Sequence, residues 1–379
     1  MGYDIYFDNA ATTRVRPEVL EEMLPFLEEN YGNPSNVYGI ARANKKAVEL
    51  ARERTAAAIN ARPDEIYFTS GGTEADNWAI KNAGPGGRII TSAIEHHAVL
   101  HTCGYLQTKG YGVTYLQPDK YGLVYPEDVK DAIKPDTVLV TLMLANNEIG
   151  TILPVKAIGA LAREKGVPFH TDAVAAAGHI QIDVEDMNID MLSLSAHKFY
   201  GPKGAGALYI RRGVKLDPLL HGGAQERNRR AGTENVAGIA GLGKALELAV
   251  SEMANETERI TKIRDAVITG VLKIPGSRLN GPRHNRSPGN ANFSFDFIES
   301  EPLLHLLDFK GIYVSSGSAC TAGSEEPSHV LLGIGLPHET ARGSLRVSIG
   351  RYNTMQDADI ILKELPPIVE KLRAMSPLN

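Results

Sequence analysis

The sequence predicts an α/β protein: a mainly parallel sheet of seven strands covered by helices, with a smaller α+β domain beside it. Three observations carry that prediction. Between about residues 65 and 211, seven β-rich runs alternate with amphipathic segments. The runs are near-continuously apolar, as strands covered on both faces must be, whereas half-exposed strands alternate. The polar residues of this stretch gather where runs end, and open sheets of this kind bind ligands at the carboxyl ends of their strands.

In chain order the runs are E-I-Y-F-T-S, G-R-I-I-T-S, G-V-T-Y-L, T-V-L-V-T-L-M-L-A, P-F-H-T-D, M-L-S-L-S and G-A-L-Y-I-R. Between the fourth and fifth, V-K-A-I-G-A-L-A-R-E-K-G has apolar positions at helical spacing and a glycine stop. A long helical region follows at roughly 233–272. New strands are expected at A-N-F-S-F-D-F and S-L-R-V-S-I, then a final amphipathic helix interrupted by Pro366-Pro367. The pattern places a large domain at 15–257 and a small one at 1–14 and 258–379.

Composition narrows the function. The 379 residues are 43% hydrophobic and 22% charged, an ordinary soluble balance. A net charge of −5, with no Lys/Arg run, argues against a nucleic-acid surface. No apolar run approaches a membrane span, and the start M-G-Y-D-I-Y-F-D lacks a signal-peptide pattern, so a cytoplasmic protein is expected. Two cysteines, Cys103 and Cys320, fit a reducing compartment.

The chemistry-bearing residues sit at run ends. Lys198 follows M-L-S-L-S in S-A-H-K-F-Y-G-P-K-G; alone it would read as a surface lysine. Asp172 closes P-F-H-T-D, and Asn147 follows the strand before it. An acid, an amide and a lysine at neighbouring strand ends suit pyridoxal 5'-phosphate: the lysine condenses with the aldehyde and the acid keeps the ring nitrogen protonated. T-S-G-G-T-E-A-D-N offers a phosphate cradle, with Gly72 and Thr73 at a helix start and Ser195, His197 and Thr233 as further donors. His96, after the strand G-R-I-I-T-S, can stack on a pyridine ring and move protons. The His96-His97 pair lacks metal-ligand spacing, so no metal is expected. Cys320, in the small and polar stretch S-S-G-S-A-C-T-A-G-S, reads as an accessible nucleophile or carrier. Cys103, on a helical pattern, reads as a core residue.

These motifs, together with Y-F-D-N-A-A-T-T, Y-G-N-P-S-N, E-H-H-A-V, N-N-E-I-G, G-G-A-Q-E-R, R-A-G-T-E-N and S-L-R-V-S-I-G-R, run nearly end to end. In this order the chain resembles the cysteine desulfurases, class V fold-type I pyridoxal phosphate enzymes of the iron–sulfur cluster assembly type. The resemblance implies that Lys198 carries the cofactor, Asp172 meets the pyridine nitrogen and His96 stacks and transfers protons. It implies that Gly72, Thr73, Ser195 and His197 line the phosphate, with Thr233 reaching in from the second subunit of a homodimer. Asn147 would touch cofactor or substrate, and Arg346 would hold the substrate carboxylate, a task its fork suits. An ion pair closing the small domain is the other reading of Arg346. L-cysteine would be the substrate and Cys320 the persulfide carrier, passing sulfur to an iron–sulfur scaffold or sulfur carrier protein. Selenocysteine lyase, or a low-activity docking platform, are the rival readings. One position departs from the family: D-A-V-A places Ala175 where a glutamine usually donates to the ring hydroxyl.

Overall fold

The structure, a computed structural model, describes residues 3–317 and 326–376. Its strands are β1 (Ile5–Tyr6), β2 (Ile66–Thr69), β3 (Arg88–Ser92), β4 (Gly112–Leu116), β5 (Thr137–Thr141), β6 (Phe169–Asp172), β7 (Met191–Ser195), β8 (Gly206–Ile210), β9 (Ser277–Asn280), β10 (Asn290–Phe295), β11 (Ile312–Tyr313) and β12 (Ser344–Ser348). The seven apolar runs form one sheet in the order β2-β8-β7-β6-β5-β3-β4. Only β8 runs against its neighbours. The carboxyl ends of β2, β3, β5, β6 and β7 therefore share one edge.

Both faces of this sheet are covered, which explains the unbroken apolar runs. Leu192, Leu194 and Tyr209 pack with Val48 of helix Gly39–Ala58 and Ile158 of helix Val155–Glu164. On the other face Met191, Leu208 and Ile89 meet Trp78 of helix Gly72–Lys81 and Val99 and Cys103 of helix His97–Gln107. Among the described residues, no helix is long and apolar enough to cross a membrane.

A second core collects Ile5, Phe7, Phe293, Phe295, Leu345 and Val347. They come from the antiparallel sheet β12-β10-β9, from the β1–β11 pair, which ties the N-terminus to residues 312–313, and, for Phe7, from just after β1. One helix of 36 residues, Val236–Val271, serves both cores: Ile239 and Leu242 lie in the first, Ile263 and Val267 in the second. The expected domain boundary at 257/258 thus falls inside a continuous helix. The interruption expected at Pro366-Pro367 does not occur, because helix Met355–Met375 runs through both prolines. Burial of Leu365, Ile368 and Val369 in the second core outweighs the helical hydrogen bonds that the prolines cannot donate.

Two features of the sheet edge yield predictions. Gly206 starts β8 so close to the turn after β2 that a Cβ there would lie 2.5 Å from Gly71 Cα and 2.7 Å from Leu194 O. Gly206→Ala should destabilise the fold by roughly 1–3 kcal/mol through overpacking against backbone, read as a lower thermal midpoint. An unchanged midpoint would show that the edge is looser than described.

Glu95 is fully buried just past β3, accepting from Ser92 Oγ at 2.7 Å and from Met143 N at 3.0 Å. Burial pushes its carboxyl up to about 8, against the hydrogen bonds from Ser92 and Met143. The unfolded group titrates near 4.5, so between these values the folded state holds more protons. Its contribution is complete below the lower value and is lost as pH rises toward the upper one, at up to roughly 1.4 kcal/mol per pH unit. In denaturant titrations from about pH 5 to 9, Glu95→Gln should gain stability relative to the parent up to about pH 8 and then level off. Parallel pH curves would contradict the buried neutral acid.

Candidate functional site

The turn after β2 makes an anion cradle. Gly71 has φ +155°, and a Cβ on Gly72 would sit 2.6 Å from Val174 Cγ2, so side chains are excluded where the backbone passes. Helix Gly72–Lys81 starts here with its first amides unsatisfied by any side-chain cap. The adjoining cavity, of ≈ 350 Å³, is lined by Thr12, Thr73, Ser195, His197 and Lys203. Hydroxyls, an imidazole and an ammonium at a helix N-terminus suit a phosphate. Glu74 also borders this cavity, but Arg230 holds its carboxylate at 2.9 and 3.0 Å and offsets the charge.

A second cavity, of ≈ 50 Å³, joins Asn147, Ala175, His179, Lys198 and Asn290. Lys198 ends the short 3-10 turn after β7, and its Nζ donates to the carbonyls of Ala10 and Ala11, the latter at 2.8 Å. His179 Nε2 meets the Lys198 carbonyl at 3.0 Å, and His197 Nδ1 meets Thr12 Oγ1 at 3.1 Å. Desolvation, then the neighbouring Lys198 and Lys203 charges, pull the His197 imidazole down to about 4, so it stays neutral at physiological pH.

Asp172 closes β6 with its Oδ1 accepting from Val174 N at 2.8 Å. Burial raises its carboxyl, while His96, the Val174 amide and Lys198 favour the charged form. His96 is the N-cap of helix His97–Gln107, accepting from Ala98 N at Nδ1 over 3.1 Å. A neutral ring held this way carries its proton on Nε2, and burial lowers its basicity. The structure therefore presents His96 as a hydrogen-bond donor, which narrows the proton-transfer role suggested by its motif.

Arg346 on β12 is 2% exposed and reaches across to Asp8 Oδ1 at 2.9 Å and the Asn147 carbonyl at 3.2 Å. Its Nε is buried without a partner. The ion-pair reading of Arg346 is thus met, with one guanidinium donor left over. Thr233 is exposed and does not line the Gly71–Gly72 cavity of its own chain. Cys320 lies outside the described residues. The chain on either side of it meets one acid: Ser328 Oγ donates to Glu148 Oε2 at 2.5 Å, and a Cβ on Gly317 would lie 2.9 Å from that same oxygen.

Several site residues escaped the sequence reading. Thr12, the Ala10 and Ala11 carbonyls and Asp8 come from the N-terminal segment, whose placement depends on long-range pairing. Asp76, His96 and Asp172 bring ligand atoms within 4.8 Å of one another, a grouping that residue spacing does not reveal. Asp76 did leave a signal. With Gly72, Ala75, Ala79 and Ile80 it falls on the buried face of its helix, where an acid is out of place.

The donor set fits pyridoxal phosphate: a phosphate cradle, a lysine at the adjoining cavity, and a buried carboxylate beside an imidazole at the same sheet edge. Comparison with known proteins agrees. Residues 5–361 match the family model of class-V aminotransferases. A Methanosarcina thermophila protein named cysteine desulfurase IscS is 59% identical, covering 99% of this chain and 94% of that protein. A Clostridium botulinum protein of the same name is 58% identical over 100% of this chain and 97% of its own length. A solved structure described as a NifS-like protein superimposes with TM-score 0.92 at 40% identity, covering 98% of this chain and 100% of that one. Another, described as SspA in complex with cysteine, gives 0.82 at 40% identity over 92% and 100%. With its family model spanning nearly the whole chain and its edge-of-sheet lysine, acid and imidazole in place, the protein belongs to the class-V aminotransferase family.

Proposed function

We propose that this chain is a pyridoxal phosphate-dependent cysteine desulfurase that converts L-cysteine to L-alanine and passes the sulfur on through a persulfide on Cys320. The observation that carries the reading is full-length similarity, at 57–59% identity, to proteins named for that activity, on a chain with matching chemistry at its sheet edge. Bound at that edge, pyridoxal phosphate supplies an electron-withdrawing ring that eases heterolytic bond breaking at the amino-acid Cα.

The chain's own residues divide the remaining work. Lys198 would hold the cofactor, and its amine, when free, would be the base that takes the Cα proton, since the His96 ring offers a donor. Gly72, Thr73, Ser195 and His197 bind the phosphate, and Asp172 keeps the ring nitrogen protonated. Asn147, which lines the cavity beside Lys198, faces the substrate, and Arg346 binds its carboxylate. The Cys320 thiolate attacks the substrate sulfur: an S–S bond forms as the substrate C–S bond breaks, and the carbon skeleton leaves as alanine after protonation.

Assembly and location complete the proposal. The protein acts as a cytoplasmic homodimer in which Thr233, exposed on its own subunit, completes the partner's phosphate site. The persulfide sulfur goes to an iron–sulfur scaffold or a sulfur carrier protein. Ala175 leaves one hydrogen bond to the ring hydroxyl unmade, which slows turnover without abolishing it.

Cys320→Ala tests the reading directly. Given pyridoxal phosphate, L-cysteine and a thiol reductant, the parent should release alanine and sulfide in equal amounts, and the variant should lose both by at least about a hundredfold while still binding cofactor. A parent that binds cofactor yet releases no alanine from cysteine would refute the proposed substrate.

A further inference from the structure

Asp76 has no part in the mechanism above, yet it is among the most deeply buried acids in the protein. It is 1% exposed on helix Gly72–Lys81, on the buried face it shares with Ala75, Ala79 and Ile80. Its Oδ1 has no hydrogen-bond partner and lies 3.7 Å from His170 Nε2 on β6. The groups facing it are Asp172 and His170 from β6, Ser193 from β7, Glu95 from the segment after β3 and His96 from the N-cap of the next helix. His170 gives no compensating charge, because burial drives its imidazole down to about 3 while Thr141 Oγ1 and Ser193 Oγ occupy its nitrogens at 2.8 and 3.0 Å.

Two carboxyls this close in a dry site do not both ionise; they hold one proton between them. The asymmetry of their surroundings decides which holds it. Asp172 has the Val174 amide, with Lys198 and His96 favouring its charge. Asp76 has only the Ser193 hydroxyl. We propose that Asp76 is a positioning residue for the cofactor: a neutral acid behind Asp172 that keeps the single negative charge of the pair on Asp172, facing the ring nitrogen. This rests on the pyridoxal phosphate reading and adds to it a residue that never touches the ring. Burial and the Asp172 charge both hold the Asp76 carboxyl well above its ordinary range, as the role requires.

The test uses holoprotein and needs no turnover. Asparagine mimics the neutral acid and can still donate a hydrogen bond, whereas leucine fills the site and removes the polar group behind Asp172. Cofactor affinity, by competition dialysis, and the absorbance of bound cofactor against pH would be measured for the parent, Asp76→Asn and Asp76→Leu. Near pH 7 the asparagine variant should bind within about threefold of the parent, and the leucine variant at least about tenfold more weakly despite an unchanged thermal midpoint. In alkali the parent spectrum should show a step from ionisation of Asp76 that Asp76→Asn lacks. Parent-like affinity in the leucine variant, or the same alkaline step in the asparagine variant, overturns the proposal. A parent that takes up no pyridoxal phosphate refutes the underlying reading instead, so the two failures are separable.

Discussion

Three carboxyl groups, those of Asp76, Glu95 and Asp172, are buried together at the carboxyl edge of the sheet, and the site is arranged around what their burial costs. An isolated carboxylate in such surroundings loses several kcal/mol of hydration, so it must find donors, find a cation or take up a proton. Each of the three meets the demand differently. Glu95 ties the end of β3 to the chain leaving β5 through Ser92 and the Met143 amide. Asp76 has only the Ser193 hydroxyl. Asp172 has the Val174 amide together with the influence of Lys198 and His96, and it is the member of the set whose surroundings most favour the charged form.

Topology explains why these groups meet. Because β8 alone is reversed, the ends of β2 and β7 lie on either side of its first residue, with Thr69 and Ser195 both opposite Gly206. The phosphate cradle and the lysine turn are thereby neighbours in space although about 125 residues separate them in the chain. The N-terminal segment then joins the two cores at this edge. Asp8 pairs with Arg346, Thr13 Oγ1 donates to the His197 carbonyl at 2.9 Å, and Ala10 and Ala11 accept from Lys198. A shift between the cores would move all of these contacts together.

Much of this was legible in the sequence, for identifiable reasons. The strands announce themselves because strands buried on both faces read as apolar runs, and Lys198 and Asp172 stand out because polar residues at run ends lie on one edge. The final helix was misjudged because local backbone rules do not register the packing of Leu365, Ile368 and Val369. Asp76, Thr12 and the identity of Asp8 as the partner in the Arg346 ion pair were missed for a different reason. Their roles come from long-range neighbours, and only the position of Asp76 on an apolar helix face hinted at one. Motif resemblance supplied the role of His96, but the Ala98 hydrogen bond that fixes its ring proton is visible only in three dimensions.

If this edge holds a cofactor covalently at Lys198, chemical reduction will fix it there. Borohydride reduction of the reconstituted protein, followed by proteolysis and mass spectrometry, tests it most directly. A single pyridoxyl adduct is expected, on the peptide containing Lys198, absent after Lys198→Ala. An adduct on another lysine, or none in a protein that has bound pyridoxal phosphate, would contradict it.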